Sequence, residues 1–119
     1  LPLISPVDYY HLASRFGKRR DPFTSQWAMH YGLDLAGWRK APVYATAPGK
    51  VVFAGRKGRY GKMVVIEHGN GIRTRYGHLF KTTVRKGQKI GHRHKIGLLG
   101  STGRSTGPHV HYEVLFNGK

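Results

Sequence analysis

Short apolar runs rich in Val, Ile, Tyr and Phe, cut at close intervals by glycine, make up most of the chain. That rhythm is the punctuation of strands and turns. It predicts strands over Lys50–Ala54, Lys62–His68, Ile72–Leu79, Lys95–Leu99 and Val110–Phe116. Gly69-Asn70-Gly71 joins the second and third as a tight hairpin, because Asn and Gly both tolerate positive φ. Met63-Val64-Val65-Ile66 is apolar at every position, as expected of a strand buried on both faces. No stretch keeps a 3.6-residue period over three turns. The segment 9–16 fits either a short helix or an extended arm, and long loops are expected around residues 17–46 and 100–108. The class is mainly β: a single domain with an antiparallel sheet and long loops framing a groove.

Near the C-terminus the alternation turns chemical. In Gly107-Pro108-His109-Val110-His111-Tyr112-Glu113-Val114, successive strand side chains point to opposite faces. His109, His111 and Glu113 therefore share one face, and Val110, Tyr112 and Val114 the other. Two imidazoles about 7 Å apart on one face can give a ligand and a second functional group to one site. A solvent-facing strand edge would show the same spacing. His92-Arg93-His94 has that spacing too, but lies in the basic stretch Lys86 to Lys95 without apolar alternation, so it reads as a solvated turn with no ligand role.

Two further segments add to this. Met29-His30-Tyr31-Gly32-Leu33-Asp34-Leu35 offers an imidazole and a carboxylate four residues apart, in a loop or short strand interrupted by Gly32. With His111 they would supply a two-His, one-carboxylate set suited to zinc, which takes N and O ligands and keeps one position open when catalytic. Tyr76-Gly77-His78-Leu79 closes a predicted strand on a histidine, which alone reads as a hydrogen-bonded strand end. A hydrolytic metal centre also needs a proton acceptor. The chain holds five acids, and only Asp34 and Glu113 lie near these motifs, which leaves His78 and His109 as candidates.

Composition narrows the setting. A length of 119 residues predicts one domain. Cysteine is absent, which excludes disulfides and a thiolate zinc site. Lys and Arg number 21 against five acids, a formal charge of +16, and such a field draws polyanions: nucleic acid, an anionic membrane, or an anionic wall polymer. The charges are scattered rather than clustered, apart from Lys18-Arg19-Arg20, and form no nucleic-acid-binding motif. The opening Leu1-Pro2-Leu3, without an initiator Met, reads as a domain cut from a longer chain, so upstream domains or a membrane anchor are expected.

In order along the chain, His30-x-x-x-Asp34, then His78 within Tyr-Gly-His-Leu, then Ser105-Thr106-Gly107-Pro108-His109-x-His111 resemble the lysostaphin-type (LytM-like) zinc metallopeptidases of family M23. Ser14-Arg15-Phe16-Gly17, Arg20-Asp21-Pro22, Val52-Phe53-Ala54-Gly55, Tyr60-Gly61, His68-Gly69-Asn70-Gly71 and Gly100-Ser101-Thr102-Gly103 agree with it. The resemblance spans about residues 14–116. It implies a peptidase domain over 14–119 behind an arm or linker at 1–13, with His30, Asp34 and His111 as zinc ligands. It implies that His78 and His109 act on the attacking water and the oxyanion, and that Glu113 supports a ligand. It also implies peptide cross-links of bacterial peptidoglycan as substrate, no specific nucleic acid, and export to the cell envelope. The Ser-Arg-Phe-Gly…Arg-Arg-Asp-Pro opening favours the D-Ala–diaminopimelate bond of Gram-negative walls over glycine bridges. Two other readings stay open: a non-enzymatic wall-binding or activator domain, and a histidine-rich nucleic-acid-binding module.

Overall fold

The structure, a computed structural model, describes the backbone of residues 6–7, 11–16, 19–20, 27–103 and 107–117, and the side chains of 6–7, 32–103 and 107–117. In chain order the strands are β1 (His11–Phe16), β2 (Arg19–Arg20), β3 (Trp27–Ala36), β4 (Pro42–Tyr44), β5 (Gly49–Arg56), β6 (Lys62–Gly69), β7 (Ile72–Thr82), β8 (Lys89–Ile90), β9 (Lys95–Leu99) and β10 (His109–Asn117). One 3₁₀ turn, Gly58–Tyr60, precedes β6. The sheet runs β1-β3-β10-β7-β6-β5-β8, with β2 on β3, β9 on β7 and β4 on β9. Every described pairing is antiparallel.

All five strands read from the sequence are present, most of them a few residues longer. Gly69 pairs with Ile72, which leaves Asn70-Gly71 as a two-residue loop. Both loop residues have positive φ, 54° and 74°, the backbone that a type I′ hairpin requires. Met63, Val64, Val65 and Ile66 are all buried. The stretch 17–46 departs from the expected long loop, because it carries β2, β3 and β4. In β3, glycine and polar residues interrupt the apolar pattern, so no strand signal shows locally. The strand forms because β1 and β10 satisfy its backbone groups from either side. The segment 9–16 resolves as strand β1 over His11–Phe16. Ahead of it, Val7 is buried in the core and the Pro6 carbonyl accepts from Tyr44 N–H at 2.7 Å.

The core gathers Leu35, Val43, Val51, Val64, Ile66, Leu79, Ile96, Leu99, Val110 and Val114 around Tyr76 and Tyr112. Val110, Tyr112 and Val114 thus occupy the apolar face of β10, as alternation required. The tyrosine hydroxyls reach the core along a chain of polar groups. His68 Nδ1–H donates to the Pro48 carbonyl at 2.7 Å, which makes Nε2 of the neutral ring an acceptor for Thr74 Oγ1–H at 2.7 Å. Tyr76 O–H then donates to Thr74 Oγ1 (2.8 Å), Thr46 Oγ1–H to the Tyr76 oxygen (3.0 Å), and Tyr112 O–H to Thr46 Oγ1 (2.9 Å). Among the described residues, no buried side-chain nitrogen or oxygen lacks a partner. The network therefore ties β6, β7 and β10 in register without an unsatisfied group.

Candidate metal centre

On the face of β10 opposite the core, the register assembles two rows of residues across three strands. His111 stands between Asp34 on β3 and Gly77 on β7, and Glu113 between Gly32 and Arg75. Antiparallel partners lie about 4.5–5.5 Å apart at Cα, so short side chains on one face meet directly. His111 Nδ1 is 2.6 Å from Asp34 Oδ1, and its Nε2 is 2.8 Å from Glu113 Oε2. His109 Nε2 lies 3.7 Å from the same Asp34 oxygen.

His78 joins them through a bulge. Leu79 pairs with Lys62 and Tyr76 with Val64, so Gly77 and His78 together oppose Met63. His78 takes φ of 62°, a left-handed backbone that costs a non-glycine residue on the order of 1–3 kcal/mol. Bulges of this kind re-aim a side chain. Here the His78 ring comes within 4.7 Å of the His109 ring and 6.2 Å of the His111 ring, centroid to centroid. The sequence reading had His78 closing a strand. Instead β7 continues to Thr82, and the distortion lies inside it.

Backbone carbonyls set the tautomers of both flanking histidines. His78 Nδ1–H donates to Thr102 O at 2.6 Å, and His109 Nδ1–H to Gly107 O at 2.9 Å. A carbonyl only accepts, so in each neutral ring the proton sits on Nδ1 and the lone pair on Nε2. Burial pushes the His78 pKa below its ordinary value, reinforced by the neighbouring histidines and only partly opposed by Thr102 O and Asp34. Thr102 is itself clamped: its hydroxyl donates to Leu79 O (2.7 Å) and accepts from Lys62 N–H (2.9 Å).

His111 shows the opposite balance. Burial alone would lower its pKa, but hydrogen bonds and charge from Glu113 and Asp34 outweigh it and hold the ring above its ordinary value. Burial would raise Glu113, and contacts with His111, Arg75 and Tyr60 bring it down instead. Burial, then the Glu113 carboxylate, push the Tyr60 hydroxyl up to about 12.

This donor set fits a cation. With Nε2–H given to the Glu113 carboxylate, a neutral His111 aims its Nδ1 lone pair at an Asp34 oxygen 2.6 Å away. Two acceptors at that separation require a proton or a metal ion, and imidazole nitrogen with carboxylate oxygen is a zinc donor pair. His30 lies on β3 where the register against β10 shifts, four residues before Asp34, and its side chain is outside the described residues. Among the described residues, no three His, Cys, Asp or Glu side chains converge as a metal-binding group.

The structure thus brings Asp34, His78, His109, His111 and Glu113 together. His92 and His94 lie in an exposed turn. Sequence reasoning missed Arg75, whose guanidinium meets Glu113 at 3.2 Å and is nearly buried. Arginine in a strand otherwise reads as solvent-facing. Its pairing opposite Glu113 is set by strand register, which the local sequence does not carry. The Thr102 carbonyl was missed as well, since a backbone acceptor leaves no trace in side-chain identity.

Comparison with known proteins bears on the family of the chain. The profile of peptidase family M23 matches residues 28–119. The DD-carboxypeptidase/endopeptidase Mpg of Neisseria meningitidis serogroup B is 46% identical over 116 residues, covering 98% of this chain and 27% of the relative. The peptidoglycan DD-endopeptidase ShyA of Vibrio cholerae is also 46% identical, covering 96% of this chain and 27% of its own length. The chain therefore spans about a quarter of these curated relatives. Among solved structures, a zinc-containing peptidase from Vibrio cholerae superposes with a TM-score of 0.80 at 42% identity, over 95% of this chain and 36% of that one. The catalytic domain of lysostaphin from Staphylococcus simulans superposes with a TM-score of 0.77 at 32% identity, over 92% of this chain and 83% of that one.

Proposed function

The chain belongs to peptidase family M23, and from that premise we propose that it is a zinc metalloendopeptidase domain that hydrolyses peptide cross-links of bacterial peptidoglycan. The observation that carries this reading is the contact between Asp34 and His111, flanked by two histidines whose Nδ1–H bonds to backbone carbonyls make Nε2 the acceptor nitrogen of each neutral ring. His30, Asp34 and His111 would hold the zinc. When bound, zinc supplies Lewis acidity, polarising the scissile carbonyl and lowering the pKa of water.

The chain's own residues supply the proton chemistry. His78 and His109, neutral at Nε2, accept the proton of the attacking water and pass it to the leaving amine. Whichever of the two rings has taken up that proton donates from Nε2–H to the oxyanion until the leaving amine takes the proton, while the Nδ1–H bonds to Thr102 O and Gly107 O keep both rings in place. Glu113 takes the Nε2–H of His111 and so keeps Nδ1 aimed at Asp34.

The D-Ala–diaminopimelate cross-link is the proposed bond. The DD-endopeptidase names of the relatives support this, as does the Ser14-Arg15-Phe16-Gly17 opening. The proposed setting is the bacterial cell envelope, where the strong positive charge favours encounter with an anionic wall. The test pairs metal analysis with digestion. Purified domain is expected to hold about one zinc ion per chain and to split cross-linked muropeptide dimers in preference to pentaglycine. Failure to bind zinc when it is supplied would sink the peptidase reading. Cleavage of pentaglycine alone would overturn the choice of bond.

A further inference from the structure

The turn that follows β3 presents Trp38, Arg39 and Lys40, none of which the metal centre uses. Trp38 is 79% exposed, and Arg39 and Lys40 are exposed beside it. Both cations lie over one aromatic ring, that of Phe80, with the Arg39 guanidinium carbon 5.5 Å and Lys40 Nζ 4.8 Å from its centroid. A cation within about 6 Å of a ring centroid is held by the negative face of the ring. Among the described residues no carboxylate answers the two charges: Asp34 faces His111, Glu67 pairs with Arg73 and Glu113 with Arg75.

Backbone bonds fasten this turn to the strands of the metal centre. Gly37 N–H donates to Pro108 O (3.4 Å), Lys40 N–H to Leu99 O (2.6 Å) and Leu99 N–H to Ala41 O (2.8 Å). Lys40 has φ of 67°, a left-handed backbone uncommon for lysine and of a kind that collects at functional sites. Phe80 sets where the cations stand. Leu79 is wholly buried in the core, so alternation puts Phe80 on the opposite face of β7, the face on which His78 meets His109. Two residues along a strand span about 7 Å, so the ring beneath the cations is one step from His78.

We infer that Arg39 and Lys40, walled by Trp38, form a substrate-binding platform for the carboxylate next to the scissile nitrogen of the cross-link. The inference rests on the peptidase reading above and deepens it. In a D-Ala–diaminopimelate cross-link, the carbon bonded to the scissile nitrogen also carries a carboxylate. A residue within a glycine bridge carries none. A carboxylate received by two cations gains charge-assisted hydrogen bonds, and the indole covers the apolar part of the stem peptide beside it. Because Phe80 already holds both cations, they lose little side-chain freedom when the substrate arrives. The platform therefore discriminates between the two classes of cross-link, which zinc ligands and proton carriers acting on the peptide group itself do not.

The experiment uses the zinc-loaded domain as wild type, as Trp38→Ala, and as the combined Arg39→Gln and Lys40→Gln variant. Each is given muropeptide dimers whose diaminopimelate carboxylate is free or converted to the amide. Zinc content equal to wild type shows that each variant is folded. With the free acid, the combined variant is expected to raise KM about tenfold, the scale for losing two solvent-exposed charge contacts. Its kcat is expected to stay within about twofold of wild type, because the platform binds substrate and transition state alike. With the amide, wild type and the combined variant are expected to share one KM. Trp38→Ala is expected to raise KM several-fold for both dimers, and an unchanged KM there overturns the share given to the indole. The inference is overturned if the combined variant keeps KM for the free acid within about twofold of wild type, or if its KM rises equally for the amide. A wild-type domain that cleaves neither dimer defeats the peptidase reading itself, an outcome distinct from an active wild type with insensitive variants.

Discussion

His78 and His109 face each other with ring centroids 4.7 Å apart, yet they come from strands whose site residues are 31 positions apart in the chain, and each is locked by a different backbone carbonyl. On the proposed reading the arrangement separates two functions that histidine could otherwise share: His111 is directed at Asp34, and the facing pair would handle protons.

That separation gives opposite expectations for two alanine variants. His111→Ala removes a donor and should abolish tight zinc binding. His78→Ala should keep its zinc while turnover falls by about 10²–10⁴-fold, the range for loss of a positioned acid or base. Zinc content and kcat measured together check this, and metal-dependent turnover surviving in both variants would refute the assignment.

The same site should respond to a glycine in the turn packed against Thr102. Gly61 has φ of 66°, and a Cβ there would collide with the Thr102 backbone, whose carbonyl fixes the His78 tautomer. Gly61→Ala is therefore expected to lower kcat at least about tenfold while zinc remains bound, since a positioned base works only in its correct geometry. Unaltered kcat would show that the contact between the 58–61 turn and Thr102 has no bearing on His78.

Thr46 joins the two core tyrosines, and Thr46→Val would leave both hydroxyls without that partner. The expected cost is about 1–3 kcal/mol, from the loss of two buried hydrogen bonds at about 0.5–1.5 kcal/mol each. Urea unfolding of the metal-loaded domain reads it. A change within error of zero would mean that water or a shifted side chain takes over.

His68 makes stability depend on pH away from the metal centre. Burial lowers its pKa from the ordinary 6.5, with the Pro48 carbonyl and Glu67 only partly opposing the shift. Below 6.5 the unfolded chain then binds more protons than the folded one. The His68 contribution is thus fully present above that value and is lost as pH falls through the lower folded value. Protonated Nε2 could no longer accept from Thr74, so the polar chain to Tyr112 would have to reverse. His68→Gln should flatten the fall in melting temperature as pH drops below about 6.5, relative to wild type. Parallel melting curves would show that His68 carries none of it.

Charge yields the last expectation. Lys81, Arg85, Lys86, Lys89 and Lys95 are exposed, and no acid occurs between residues 68 and 112. Sedimentation with purified peptidoglycan should weaken steeply with added salt, as screening shortens the reach of these charges. Salt-insensitive sedimentation would show that these charges do not carry wall contact.

Local chemistry made much of this molecule legible. Period-two alternation in β10 separates Val110, Tyr112 and Val114 from His109, His111 and Glu113, and the structure keeps that division. Asn70-Gly71 makes its turn because two adjacent residues tolerate positive φ. Both signals depend on neighbours in sequence, which is why they can be read there. β3 escaped the same reading because its strand character comes from hydrogen bonds to β1 and β10, not from its own pattern.

What the sequence determined by itself is the inventory: which strands have an apolar face, where the hairpin turns, and which histidines and carboxylates are available for a metal site. Tertiary structure alone decided their relations. It set Asp34 beside His111, bent β7 at Gly77 so that His78 meets His109, and buried Arg75 against Glu113. Those outcomes arise from register between strands distant in the chain and from backbone carbonyls common to every residue. Neither leaves a mark on the local order of side chains.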